Sequence, residues 1–126
     1  MLSITLADGQ TTPVNHTFDV QYAQAGSQTP ASWLEKSAGI YAGFISLTQL
    51  VKRSPNKASK VTARLRFPRL TTDGTSSLIH TATLAIDFTV PDTMSLQDRK
   101  DFLAFAKNYL GSEAAYAAIV NGQPAV

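Results

Sequence analysis

No cysteine occurs in the 126 residues, which excludes disulfides and thiolate metal sites and fits a reducing compartment. No apolar run approaches the roughly 20 residues of a membrane span, so no membrane partner is expected. The opening, MLSITLADGQ, lacks the basic start and apolar core of an export signal. Gly-rich phosphate loops and metal-ligand spacings are also missing, and no cofactor is expected. Histidine is scarce: His16 and His80 each fall on an expected strand with no acid or nucleophile motif beside them. Catalytic constellations are defined by several groups in a fixed geometry, and a lone strand histidine is ordinarily a packing or surface residue. Asp98 and Asp101 are more simply first-turn helix charges than an acid–base pair. The chain is therefore not expected to be an enzyme.

The most informative absence is one of charge sign. Between Lys36 and Arg69 there are eight cations (Lys36, Lys52, Arg53, Lys57, Lys60, Arg64, Arg66, Arg69) and no Asp or Glu. The remainder holds three cations against nine acids, so a net charge of only +2 conceals strong segregation. Such segregation is a footprint for an anionic partner. A basic run is often no more than a solvated face; here the cations sit on a strand face and its adjoining turn.

What is present is enough for one domain, residues 1–126, with about two thirds of its unfolded surface buried. Six Phe, four Tyr and Trp33 can anchor a core. From Ser59 to Pro68 the chain alternates strictly. Val61, Ala63, Leu65 and Phe67 lie on one side, Lys60, Thr62, Arg64 and Arg66 on the other. Period-two alternation of this length marks a strand with one face on a core and the other wet.

Taken in order, Leu2–Ala7 and Val14–Tyr22 read as strands around an Asp8-Gly9 hairpin signal. AQAGSQTP is a polar loop, and Ala31–Lys36 reads as a short strand or a helical turn, the strand being favoured. Gly39–Arg53 is the next apolar stretch, with Ile45, Leu47 and Val51 opposed to Ser46, Thr48 and Lys52; Gln49-Leu50 breaks the alternation and suggests a bulge. Ser54-Pro55-Asn56 is a turn in which Asn suits the left-handed region. The basic strand then runs to Pro68, and Arg69–Ser77 is a polar loop. Leu78–Val90 is the longest strand, with Ala82, Leu84, Ile86, Phe88 and Val90 facing the core. Three runs joined by short turns make an antiparallel meander.

After Pro91 the period changes. Ser95 is placed to cap a helix with Asp98 three residues on. Leu96, Phe102, Leu103, Phe105, Ala106, Tyr109 and Leu110 form a wide apolar stripe. Gly111 suits the left-handed C′ position, and Ser112 can cap a second helix, SEAAYAAIVN, ending at Asn121-Gly122. The fold class is α+β: an N-terminal β-hairpin, an antiparallel meander sheet, and two C-terminal α-helices on one face. One small sheet does not cover both helices, which points to a partner subunit.

Lys60, Arg64 and Arg66 form a row along one strand face, and Ser46, Thr48 and Lys52 extend it onto a neighbour, with Thr81 and Thr83 on another. Lys57 lies in the adjoining turn. Cations and hydroxyls on a flat sheet suit phosphates and sugars. Aromatic rings are expected to be missing from this face, leaving no obvious platform for base stacking.

The order of elements resembles the coat proteins of single-stranded RNA bacteriophages, the levivirus group. The likeness is carried by HTATLAIDFTVPDTMSLQDRKDFLAFAKNYLGSEAAYAAIVNGQPAV, a long strand, a Thr-x-Pro-like turn, an acid-started helix, a small-residue break and a second helix. WLEK, followed by the basic Ser-Pro-Asn-Lys turn and KVTARLRFP, adds to it, so that the likeness runs from about Ala31 to the end. The resemblance implies an intertwined two-fold dimer, assembly of dimers into an icosahedral shell, and an inward sheet face that binds the genome. It also implies recognition of an RNA hairpin that represses translation and marks the RNA for packaging. The protein would then belong to the virion, and to the bacterial host cytoplasm during assembly. Ser46, Thr48, Lys60, Thr62, Arg64, Arg66, Thr83 and Ala85 match the family's RNA-contacting face, although well-studied members carry an aromatic and an amide or acid where Thr83 and Ala85 stand. The Arg69–Ser77 loop would match the one lining the shell's symmetry axes. The residues alone leave open a non-viral, sheet-faced RNA-binding module.

Overall fold

The computed structural model describes residues 1–55, 57–71 and 77–124. They fall into two compact units, Met1–Thr89 and Val90–Val126. The first is built from strands β1 (Ile4–Ala7), β2 (Asn15–Tyr22), β3 (Ala31–Glu35), β4 (Ile45–Ser54), β5 (Ala58–Leu70) and β6 (Leu78–Pro91). They form one six-stranded sheet in strictly sequential order, so the N-terminal hairpin and the meander are continuous. The second unit carries helices α1 (Leu96–Leu110) and α2 (Glu113–Val120).

Cross-strand register explains the core. Ile4 pairs with Phe18, Val20 with Trp33, Trp33 with Leu47 and Leu47 with Leu65. Period-two alternation thus stacks these side chains on one face. Phe18, Ala31 and Trp33 are buried, with Ile4, Ile45, Leu47 and Leu65 packed against them. The Trp33 indole N–H donates to the Leu2 carbonyl at 3.0 Å, satisfying the one polar atom that its burial would otherwise strand.

The expected hairpin at Asp8-Gly9 is wider than a two-residue turn. Gly9 takes no positive φ; the loop is closed by the Asp8 N–H to the Val14 carbonyl at 3.0 Å. The Asp8 carboxylate accepts from the N–H groups of Val14 (3.0 Å) and Gln10 (3.2 Å). In the following polar loop, Gln24 substitutes for a strand residue. Its carboxamide donates to the Val51 carbonyl at 2.7 Å and accepts from the Val51 N–H at 2.9 Å.

Three local expectations are corrected. The bulge expected at Gln49-Leu50 is absent: β4 pairs with β5 in unbroken register from Ser46↔Arg66 to Ser54↔Ala58. Leu50 simply places an apolar side chain on the polar face. The bulge lies instead on β2, between Val20 and Tyr22. Pro68 does not end β5, which continues to Leu70; a proline is tolerated wherever its missing N–H is not needed by the ladder. Gly111 is not left-handed, having φ −88 and ψ 3. Ser112 starts the next helix at once, and the chain keeps a right-handed course with the Gly111 N–H on the Lys107 carbonyl.

Both helix caps form as the sequence indicates. Ser95 Oγ accepts from the Asp98 N–H at 3.1 Å, and Ser112 Oγ from the Ala115 N–H at 3.3 Å. In the turn after β4, the left-handed residue is Lys57 (φ 57), with Asn56 outside the described residues. Most of the polar loop expected at Arg69–Ser77 also lies outside them; its ends are tied by the Thr71 N–H to the Ser77 carbonyl at 2.8 Å.

Candidate nucleic-acid interface

Opposite the core, the same register builds a polar face. Across β3, β4 and β5, Leu34 pairs with Ser46 and Ser46 with Arg66; Ser32 pairs with Thr48 and Thr48 with Arg64. Further along, Leu50 pairs with Thr62 and Lys52 with Lys60. Directly opposed side chains stand about 4.5–5.5 Å apart at Cβ, so hydroxyls and cations alternate over a continuous patch. Lys52, Lys60, Arg64 and Arg66 are exposed, while Ser46, Thr48 and Thr62 are half-buried between them.

Of the residues singled out from sequence, Ser46, Thr48, Lys52, Lys60, Thr62, Arg64 and Arg66 are therefore brought together on one face. Lys57 stands apart, in the turn joining β4 to β5. Thr81 and Thr83 share one side of β6, the neighbour of β5 in the sheet.

Among the described residues, no acid lies within ion-pairing distance of Lys52, Lys60, Arg64 or Arg66. A cluster of ionisable groups lies elsewhere: His16 Nε2 is 2.9 Å from Asp8 Oδ2, and its Nδ1 is 3.7 Å from Glu35 Oε2. The hydrogen bond to Asp8 raises the His16 pKa above its ordinary 6.5, with the charges of Asp8 and Glu35 acting in the same direction. Asp8 itself is held down at about 2, first by the Val14 N–H and then by His16. This cluster belongs to the core-side face; on the polar face, Asp19 of β2 stands opposite Leu34, outside ion-pairing distance of the cations on β4 and β5.

The expected lack of aromatic rings on the polar face is also corrected. The β2 bulge sets Tyr22 against Ser32, and Tyr22 is 52% exposed. A 3₁₀ turn, Tyr41–Gly43, brings Tyr41 and Phe44 to the end of the Leu34–Ser46–Arg66 row. Their ring centroids are 5.8 Å apart at a tilt of 57°. Together with Ala42, these residues line a cleft of about 360 Å³. The sequence carries one usable signal for it: the run GIYAGF interrupts strand alternation with two glycines around its aromatics.

The chain is thus a sequential meander sheet, apolar on one side and carrying clustered cations on the other, followed by two capped helices. The model of the levivirus coat protein family matches residues 1–125. The chain belongs to that family. It is a capsid component of the virion and not an enzyme.

Solved structures agree. The virus-like particle of bacteriophage NT-214 is 36% identical, with a TM-score of 0.89 over 100% of this chain and 98% of that one. That of bacteriophage ESE058 is 26% identical, with a TM-score of 0.86 over 100% and 99%. A bacteriophage coat protein described as an unassembled RNA-binding dimer shares the fold at 20% identity, with a TM-score of 0.72 over 99% and 96%. A search of curated protein sequences returned no match.

Proposed function

We propose that residues 1–126 act as one coat-protein domain that pairs into intertwined two-fold dimers. These dimers assemble into a closed icosahedral shell, and the basic face of β4, β5 and β6 lies inward on single-stranded genomic RNA. The observation that carries the RNA reading is the Ser46/Arg66, Thr48/Arg64 and Lys52/Lys60 pairing, a patch of cations with no described acid within ion-pairing distance. Phosphates supply the missing charge, and the hydroxyls between the cations suit phosphate oxygens and ribose. Binding of a hairpin within that RNA would couple the same face to translational repression. The particle formed by the NT-214 relative and the RNA-binding dimer of the more distant one favour this reading.

Dimerisation is supported by apolar surface. Helix α1 has no buried residue, and Leu103, Phe105 and Tyr109 are 62%, 74% and 59% exposed. On the core-side face of the sheet, Leu6, Phe18, Ile45, Leu65 and Phe67 line a hollow of about 920 Å³. Exposed apolar area of this extent marks an interaction surface, and a second copy is the commonest occupant.

The test is to express the chain and examine it by electron microscopy and by the ratio of absorbance at 260 and 280 nm. Closed particles with nucleic acid inside are expected. Particles empty of RNA would overturn the RNA reading alone, and a protein that never forms particles would overturn the assembly reading.

A further inference from the structure

The aromatic cleft at the end of the basic face is built more firmly than an ordinary loop. Gly43 is buried, and a Cβ placed on it would lie 2.7 Å from Leu70 Cδ1 and 2.8 Å from Ala38 Cβ. The turn is therefore pressed against the end of β5 at the one residue that has no side chain. Hydrogen bonds from the Gly43 N–H to the Ile40 carbonyl (2.9 Å) and from the Phe44 N–H to the Tyr41 carbonyl (3.1 Å) fix its shape. Phe44 is half-buried, whereas Tyr41 remains 78% exposed although it is held against Phe44. The turn thus holds the face of the Tyr41 ring open to solvent, within reach of a flat ligand.

The other walls indicate what that is. Leu34 is the apolar neighbour, Ser46 offers a hydroxyl, and Arg66 brings a guanidinium at the end of the Arg66–Arg64 row. Among the described residues no acid lines the cleft; Asp19 lies beyond Leu34, on β2. A flat apolar ligand with a polar edge and an attached anion satisfies all of these groups at once. We propose that the cleft receives one unpaired nucleobase of bound RNA, stacked on the Tyr41–Phe44 pair. Arg66 takes the adjoining phosphate and Ser46 the base edge or ribose. The inference rests on the reading of the basic face as an RNA surface and adds to it a platform for single-stranded RNA. A base inside a duplex is already stacked on its neighbours and cannot enter, so the cleft selects against continuous helix.

The experiment measures binding of the purified protein to three fluorescent RNAs: an unstructured single strand, the same strand carrying abasic nucleotides, and a blunt duplex. Tyr41→Ala is suited to the test because its ring is exposed and its loss leaves the core intact; Tyr41→Phe keeps the stacking face. Tyr41→Ala and Phe44→Leu are each expected to weaken single-strand binding by roughly 5- to 150-fold, the range of one base–aromatic stack. The salt dependence should not change, Tyr41→Phe should bind as the parent does, and duplex and abasic RNA should be indifferent to all three variants. Normal salt-dependent RNA binding with no effect of Tyr41→Ala or Phe44→Leu would overturn the cleft and leave the RNA face standing. Normal RNA binding with lost particle assembly would assign the rings to a contact between copies and equally overturn it. If the parent binds none of the three RNAs, both readings fall.

Discussion

Lys52 and Lys60 face each other directly across β4 and β5, with no described acid within ion-pairing distance of either. Like charges at opposed sheet positions are destabilising, so the RNA-free sheet carries a local repulsion that an anion relieves. Lys60→Glu turns the pair into an attractive one. It should raise the denaturant midpoint of the RNA-free protein, by about 0.2–1 kcal/mol, while weakening RNA binding. A variant that loses both stability and affinity would contradict the opposed-charge account.

Removing Lys60, Arg64 and Arg66 together should reduce RNA affinity almost uniformly across sequences. The slope of log affinity against log salt should become shallower by up to about 0.7 for each lost phosphate contact. Val61, Ala63 and Leu65 stand on the other face, so the thermal transition should survive. An unchanged salt slope would remove these cations from the RNA surface.

Phe102→Asp places a carboxylate in the apolar stripe of α1. Burial of that charge in a subunit interface would cost several kcal/mol, and neither dimers nor particles should form. Sedimentation showing a normal dimer would mean that the stripe is not the interface.

Gly43→Ala tests the seat of the 3₁₀ turn. The added methyl meets Leu70 and Ala38 at less than contact distance, and overpacking of this kind costs about 1–3 kcal/mol. Leu70→Ala in the same chain should restore part of the loss, a coupling that only neighbouring side chains produce. Additive effects in a double-mutant cycle would place the two residues apart.

The His16 cluster predicts a window of stability in pH. The pKa of His16 is raised in the folded chain. Its contribution is therefore complete below the ordinary 6.5 and lost as pH rises through the higher folded value. That of Asp8 is lowered to about 2, so its contribution is present above the ordinary 3.8 and lost as pH falls toward 2. The hairpin clamp is strongest between about pH 4 and 6.5. His16→Gln should flatten the alkaline side of the stability profile and leave most of the acid side, where the Val14 N–H still holds Asp8. An alkaline limb that is unchanged would show that the histidine is not coupled to folding.

Where alternation and capping governed the structure, the residues announced it: Val61, Ala63 and Leu65 defined β5, and Ser95 and Ser112 defined the helix starts. Failures came where a side chain disobeyed its local pattern for a non-local reason. Leu50 looked like a break in register, yet the ladder to Thr62 holds the strand straight. Tyr22 changed faces through a β2 bulge that no turn residue marks. The Tyr41–Phe44 cleft depends on how closely Gly43 approaches Leu70, a distance fixed by the fold and invisible to periodicity. The basic patch was legible because charge segregation needs no geometry; its aromatic edge was not, because it is assembled by a turn.

The sequential strand order has a kinetic consequence. Every ladder in the sheet closes between elements adjacent along the chain, so each pairing pays the entropy of a short loop only. The sheet thus needs none of the crossover ladders whose long-range closure slows many sheet proteins. Their folding should be a first-order process on the ribosome or in dilution, insensitive to protein concentration. Any second-order phase seen in refolding belongs to the meeting of copies, and that meeting sets the pace at which folded chains become usable shell material.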